Sequence, residues 1–547
     1  MTSSPSTEQL PPKTHPRAFE PITLIVTVVL SVLGAVIGVH LITTLGISAN
    51  TSVIGAVIAM LLGRITFFGF AKFRSKHRQN LIQSAVSAAT FAAANGLLAP
   101  IAIPWAMGKP ELVWPMLLGA SLGVLVDVFV LFKAFGSKFL PASAAWPPGV
   151  AAAETILAGK EGGRRALILV GGGVIGVIGV IGSLFALPMS AAGVALIGNI
   201  WALLMFAVGL LISQYAPVLF QINLGALYIP HGVMIGAGVV ALLQVMWIIF
   251  GARTKQQQAQ EARHTEAIKL DETLDYTISR KGLGRALGLG YVAFVVGALV
   301  IALVGGVASD LSIPALIGFV LFAGFAAIVH ELIVGLAAMH AGWFPAFAVT
   351  LIFLILGLFL QMPQVPLLVL VAYCSATGPA FADMGYDYKA GWILRREGRP
   401  WKAYELQGRR EQLKASLVAI VIAIGIVAIS WQGLFADGKI PPSSKVFADT
   451  LAVGISDPHV ALTMALWAIP GALIQLIGGS KRQMGVLLAT GLLVATANAG
   501  WLVLAALLFR VIWLKYRGAK GEQEIALIGA GVIAADSLMS VGKVIKF

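Results

Sequence analysis

Apolar residues run along this chain in blocks of about twenty, separated by short polar links, instead of alternating at the period of half-buried elements. The blocks lie near 21–45, 50–70, 80–99, 112–135, 166–187, 193–213 and 227–250, then near 286–308, 314–340, 343–360, 364–382, 415–435, 460–479, 484–514 and 524–542. Each can cross a hydrocarbon layer as a helix, and the block at 484–514 is expected to break near Asn498. Two of them carry nearly the same octapeptide, MIGAGVVA (Met234 to Ala241) and LIGAGVIA (Leu527 to Ala534), 293 residues apart. Weaker matches pair Phe139 to Gly159 with Ile440 to Ser456, and Ser52 to Gly55 with Ala315 to Gly318. The pattern predicts an all-α polytopic membrane protein of about 14–16 membrane segments in two duplicated halves. The expected divisions are a polar tail at 1–19, a first membrane half at 20–250, a linker at 251–285 and a second half at 286–547. The second half is expected to carry an extra apolar hairpin, roughly Glu331 to Leu360.

Composition sharpens this. Mean hydropathy is +0.90 and charged residues make up 11% of the chain, beyond what a soluble core of this length needs. The net charge of +14 does not indicate nucleic acid, because Lys and Arg gather in the links, where they set orientation. Lys72, Arg74, Lys76 and Arg78, and the basic stretch Lys389 to Lys414, are expected on the cytoplasmic side together with the N-terminus. Cys374, the only cysteine, supports neither a disulfide framework nor a thiolate metal cluster, and no cofactor is expected. Because Lys133 and Lys138 precede Phe139 to Gly159 and Lys160, Arg164 and Arg165 follow it, that segment is expected to enter the membrane and return. Pro147-Pro148-Gly149 breaks an arriving helix, and a new one is expected near Val150.

Interrupted segments at corresponding places in two halves mark a transporter's binding site. Here they include Trp146 to Glu154 and Tyr228 to Gly238. A helix starting inside the membrane turns N–H groups and partial positive charge into a cavity, which suits a substrate carboxylate. Pro148, Gly149, Tyr228, His231 and Gly232 are therefore candidate substrate contacts, with packing kinks as the structural alternative. Ionisable groups within spans cost roughly 2.5–3.5 kcal/mol each and default to function. Glu154 and Asp127 are candidates for a substrate amine and Glu331 for proton coupling beside His330, while Asp127 and Asp536 are also open to snorkelling or an interhelical hydrogen bond, and His40, His231 and His340 are the other imidazoles within spans. Asn80, Gln83 and Asn95, with Gln221 and Asn223, offer polar lining or interhelical hydrogen bonds. Enzyme readings fail on spacing: Val334 stands where a HExxH zinc helix needs its second histidine, and GKEGGRR (Gly159 to Arg165) lacks the phosphate-loop pattern. An ion gradient is then the expected energy source.

Five elements in order resemble the oligopeptide transporter superfamily: NLIQSAVSAATFAAANG (Asn80 to Gly96), FLPASAAWPPGVAAAETI, YIPHGVMIGAG, QVPLLVLVAYCSATGPAFADMGYDYKAGWILR (Gln364 to Arg395) and IALIGAGVIAADSL (Ile525 to Leu538). The family element Asp-x-Lys-Thr-Gly-aromatic matches at Asp387, Lys389, Gly391 and Trp392, with Ala390 in place of Thr. The Asn-Pro-Gly motif of the fungal and plant peptide branch is absent, so the chain looks closer to the prokaryotic and metal-chelate branch. The resemblance implies proton-coupled import of short oligopeptides or peptide-like compounds across a plasma (bacterial inner) membrane. A symporter of metal chelates, as in the yellow-stripe-like relatives, is the alternative, and a passive channel a lesser one. By the resemblance Asp387 and Lys389 belong to a cytoplasmic helix start. The implied partners are the substrate, protons and the bilayer, with homo-oligomerisation left open.

Overall fold

The computed structural model describes residues 14–46, 55, 58–60, 62–65, 69–157, 162–181, 188–250, 277–341, 346–396, 401–453, 458–494, 496 and 498–544. Among them the secondary structure is helical throughout, as the apolar blocks predict. The first part contains α1 (Pro21–Thr44), α2 (Lys76–Phe91), α3 (Ala99–Ala106), α4 (Val113–Ala134) and α5 (Pro147–Leu157). It continues through α6 (Gly162–Ile181), α7 (Met189–Ile197), α8 (Ile200–Leu219) and α9 (Ile229–Phe250). The second part contains α10 (Arg280–Val304), α11 (Ile313–Ala341), α12 (Ala346–Phe359), α13 (Gln364–Ala376), α14 (Pro379–Arg395) and α15 (Trp401–Ala436). It ends with α16 (Pro442–Val453), α17 (Pro458–Arg482), α18 (Met484–Leu493) and α19 (Ala499–Val544), the last turning sharply at Gly518. Ten helical segments among the described residues are long and apolar enough to cross a membrane, and four shorter apolar helices accompany them. The chain is an all-α polytopic membrane protein.

Local chemistry sets the boundaries. Asn199 caps α8 by accepting from the N–H groups of Trp201 and Ala202 at 3.0 and 3.1 Å, and Ser279 caps α10 through Gly282. Pro379 opens α14 directly after Gly378, whose φ of +90° only glycine adopts without strain. The block expected at 80–99 is longer and interrupted: α2 passes through a π-helical turn, Ala92–Leu98, into α3. The break expected near Asn498 is present, with α18 ending at Leu493, Asn498 at φ +60° and α19 starting at Ala499. The re-entrant helix expected near Val150 begins three residues earlier at Pro147, since proline's fixed φ suits the first turn. Glu331 lies inside α11 and does not open a hairpin. Most of the block at 50–70 and linker residues 251–276 lie outside the described residues.

Helices α5, α6, α7 and α8 have counterparts in α16, α17, α18 and the first part of α19, with starts 295–299 residues apart. The packing is reciprocal across the two series. Helix α9 lies against α17 while the last part of α19 lies against α6, and α8 meets α18 as α19 meets α7. Likewise α5 docks on α14 while α16 docks on α3, where the Ser444 hydroxyl donates to Ala99 O at 2.7 Å. Glycines permit these approaches: a Cβ on Gly236 would sit 1.8 Å from Ala468 O, and one on Gly531 would sit 2.2 Å from Leu169 O.

Candidate functional site

Two interrupted helices form the middle of the molecule, α2 with α3 and α13 with α14. They are 89% buried over their most apolar stretch, against 22–61% for the other candidate spans, so they face protein where the others face lipid. Helix α2 carries Asn80, Gln83, Ser84 and Ser87 at spacings of three and four residues, one continuous polar stripe. The stripe meets α14. Gln83 donates to Asp387 and Ser87 donates to Asp383 at 2.7 Å, while Asn80 donates to Gln83 at 2.8 Å.

Asp127 of α4 reaches the interruption between α13 and α14, where its Oδ2 accepts from the N–H of Gly378 at 2.6 Å. It thus caps α14, whose first N–H groups would otherwise lie unpaired in a dry interior. Glu331 of α11 stands within charge range of Asp127, and both side chains are fully buried. Among the described residues no hydrogen-bond partner reaches either oxygen of Glu331 or the Oδ1 of Asp127. His330 is engaged elsewhere. Its Nε2 lies 3.0 Å from Ala346 O and 3.0 Å from the Thr350 hydroxyl, and its Nδ1 lies 3.4 Å from the Thr377 hydroxyl. The ring therefore ties α11 to α12 and to the interruption, and Glu331 projects from the next position along the helix.

Asp387 and Lys389 do not start a helix, contrary to what the resemblance implies. They lie in the interior of α14, because Gly378 and Pro379 set its beginning two turns earlier. Lys389 Nζ donates to Ala142 O and Ala144 O at 2.9 and 2.8 Å, which fastens the loop before α5 to α14, and it lies 4.4 Å over the Trp392 ring. Gly391 makes room for Gln412 and for the guanidinium of Arg395. Arg395 binds Glu405 at 2.7 Å and Gln412 at 2.8 Å, and Arg409 binds the same carboxylate at 3.0 Å and Phe135 O at 2.7 Å. Gln412 also donates to Ser84 and to Asp387 O, joining this buried ion network to the polar stripe. Burying two guanidiniums around one carboxylate carries a desolvation cost, which the further hydrogen bonds to Gln412 and Phe135 O help to offset.

Asp383, Arg395, Glu405, Arg409 and Gln412 are not singled out by the sequence pattern. The available signal was the four-residue spacing of Glu405 and Arg409, which in the stretch KAYELQGRREQLK resembles an ordinary basic link.

The remaining candidates sit apart from this network. The N–H groups of Gly149 and Val150 both turn back to Trp146 O, and a Cβ on Gly149 would lie 2.3 Å from Tyr386 O. Gly149 is thus a close-packing residue between α5 and α14, with Pro148 half-buried beside it. Glu154 falls on α5, and its side chain lies outside the described residues. Gly232 donates its N–H to Tyr228 O and packs against Met464 O of α17. His231 pairs with Asp449 of α16 at 2.9 Å under the Tyr228 ring, whose centroid is 5.3 Å away. Gln221 and Asn223 are exposed in the loop between α8 and α9, where Asn223 accepts from Ala226 N, so they line no interior cavity. Asp536 accepts from Ser190 N at 2.6 Å and lies 3.5 Å from His40, an interhelical tie.

Outside the membrane segments, the rings of His15, His77 and Tyr404 form a triangle, tilted to one another, with His15 centroid distances of 5.2 and 5.4 Å and 5.4 Å between His77 and Tyr404. Burial, and then the charge of Arg395, push its pKa down to about 3.

Residues 21–241 match the family model described as OPT oligopeptide transporter protein, so the first half of the chain carries that family's signature. No curated protein sequence matches the chain.

Proposed function

We propose, from the premise that this OPT-type chain is a multi-pass membrane transporter, that it is a secondary active symporter. It imports short oligopeptides or peptide-like compounds together with protons across a plasma (bacterial inner) membrane, with its N-terminus in the cytoplasm. The observation that carries the coupling is the pair Asp127 and Glu331. Two carboxyls are buried within each other's field, and among the described residues neither oxygen of Glu331 is committed to a hydrogen bond. Like charges in one dry site cannot both be ionised at low cost, so the pair suits the uptake and release of one proton.

The proton's position couples to conformation through α14. With Asp127 ionised, its carboxylate holds Gly378 N and the helix start in place. A proton passing to the pair weakens that cap and loosens the interruption between α13 and α14. Helix α5, which carries Pro148, Gly149 and Glu154 and covers α14, is the element whose departure would admit cargo to Asn80, Gln83 and Asp127. Alternating access would then follow from movement of one half against the other.

The test is uptake by proteoliposomes given a mixed short-peptide pool outside and an inward proton gradient, read by mass spectrometry of the lumen. Accumulation should collapse with a proton ionophore. Glu331→Gln should abolish gradient-driven accumulation while leaving peptide binding and counterflow intact. Accumulation by Glu331→Gln that still follows the proton gradient would remove this residue from the coupling step.

A further inference from the structure

The α2–α14 seam contains a second carboxyl pair, which the proton pathway above does not use. Asp383 and Asp387 stand one turn apart on α14, at 1% and 0% exposure, and face the stripe on α2. Each has one oxygen engaged by a neutral donor, Ser87 at 2.7 Å from Asp383 and Gln83 on Asp387. The second oxygen of each is buried without a hydrogen-bond partner among the described residues. The hydroxyl of Tyr386, also buried and without a partner, lies within the electrostatic reach of Asp383. Asp383 and Asp387 in turn repel one another. Neutral donors orient these carboxyls but would not balance their charge on ionisation, and the cations nearby in sequence serve other acceptors: Arg395 binds Glu405, and Lys389 donates to Ala142 O and Ala144 O.

We propose that Asp383 and Asp387, assisted by the Ser87 and Tyr386 oxygens, bind one dehydrated alkali cation between α2 and α14. Three considerations select this ligand. Positions i and i+4 of a helix set Cβ atoms about 5–6 Å apart, a separation that an ion bridges more readily than a single shared proton, which needs oxygens at about 2.5–2.7 Å. With α5 in place the seam is closed, Gln83 and Ser87 at 0% exposure, so there a bare ion fits where the head of a peptide does not. The donors facing the seam are carboxyl and hydroxyl oxygens, which suit a hard cation better than a transition metal. The bound ion would fasten α14 to α2 and hold the polar stripe in register with the Arg395–Glu405 network.

The test is the unfolding midpoint of the detergent-solubilised full chain at pH 8, in sodium or potassium chloride against choline chloride at equal ionic strength. An alkali ion should raise the midpoint saturably, by about 2–5 °C, relative to choline. Asp383→Asn and Asp387→Asn should each lose that increment, Ser87→Ala should weaken it, and Glu331→Gln should retain it. Retention in Glu331→Gln separates this site from the proton pair, so failure of the coupling proposal leaves this outcome readable. Equal midpoints in choline and in both alkali salts, or an increment preserved in both aspartate variants, would overturn the proposal. Should one aspartate variant fail to fold, Ser87→Ala decides: an unchanged ion dependence there counts against the site.

Discussion

At the scale of single residues, glycine is the decisive type, because helix association in lipid depends on close backbone approach where no hydrophobic drive exists. Gly236 and Gly531 belong to the two repeated octapeptides and face carbonyl oxygens at distances that no methyl group can occupy. Gly236→Ala should force α9 away from α17, costing about 1–3 kcal/mol as an overpacking change. Gly531→Ala should act alike between α19 and α6. Gly288 on α10 has open space around its Cβ position, so Gly288→Ala should leave stability unchanged or raise it slightly. Melting curves of the three variants in one detergent test this, and a Gly236→Ala midpoint equal to the parent's would refute the packing role. The same chemistry explains why GGGVIGVIGVIG needs no nucleotide: Gly172 and Gly176 fit against Ile528 and Val532 of α19.

At the scale of elements, the segment before α1 is held to the starts of two helices. His15 N donates to Gln407 and Ala18 N donates to Glu411 at 2.8 Å, while Glu20 pairs with Arg78, whose guanidinium holds the Glu20 carboxyl below the usual range. Facing the His15 ring are His77, Tyr404, Arg78 and the Arg395–Glu405 pair. Because docked His15 titrates near 3 and the released ring near 6.5, the released segment binds more protons between those values. Docking should therefore be fully present above pH 6.5 and weaken as pH falls toward 3. Amide exchange at Ala18, compared at pH 7.5 and pH 5.5 after correction for intrinsic rates, should show protection falling at the lower pH. In His15→Phe, which keeps the ring and removes the titration, that fall should shrink. Equal protection at both values in the parent would sink the idea. This docking was not legible in the sequence, where a polar, proline-containing tail has no periodicity to place it. The broken elements were more legible. Pro147 and Asn498 announced two of them, because proline and a polar residue within an apolar run leave marks in the sequence. The interruption at Thr377–Gly378 carries the Gly378-Pro379 pair as its mark, yet the apolar block at 364–382 runs across it, and the interior position of Asp383 and Asp387 follows only once the helix start is placed there. Partners from α2, far away in sequence, decide what those carboxyls do.

At the scale of the whole molecule, the reciprocal packing implies that neither half is complete alone. Helix α5 closes on α14 of the other series and α16 closes on α3, so relative motion of the halves must pass through the two interrupted helices at the centre. The end of α13 is the place to arrest such motion. A Cβ on Gly123 of α4 would lie 3.9 Å from that of Ala376, close to the mean Cβ separation of a disulfide, and Asp127 caps α14 one turn further along α4. In a Cys374→Ala background, which removes the only native thiol, Gly123→Cys with Ala376→Cys should oxidise to a bridge between α4 and α13. If transport requires the interruption to shift against α4, oxidation should suppress proteoliposome uptake at least tenfold and reduction should restore it, while each single cysteine variant stays insensitive to oxidant. Uptake unchanged by a bridge verified by mass spectrometry would mean that α4, α13 and the Asp127 cap travel together. The sliding surface would then lie at the outer seams, where α9 meets α17 and α6 meets α19.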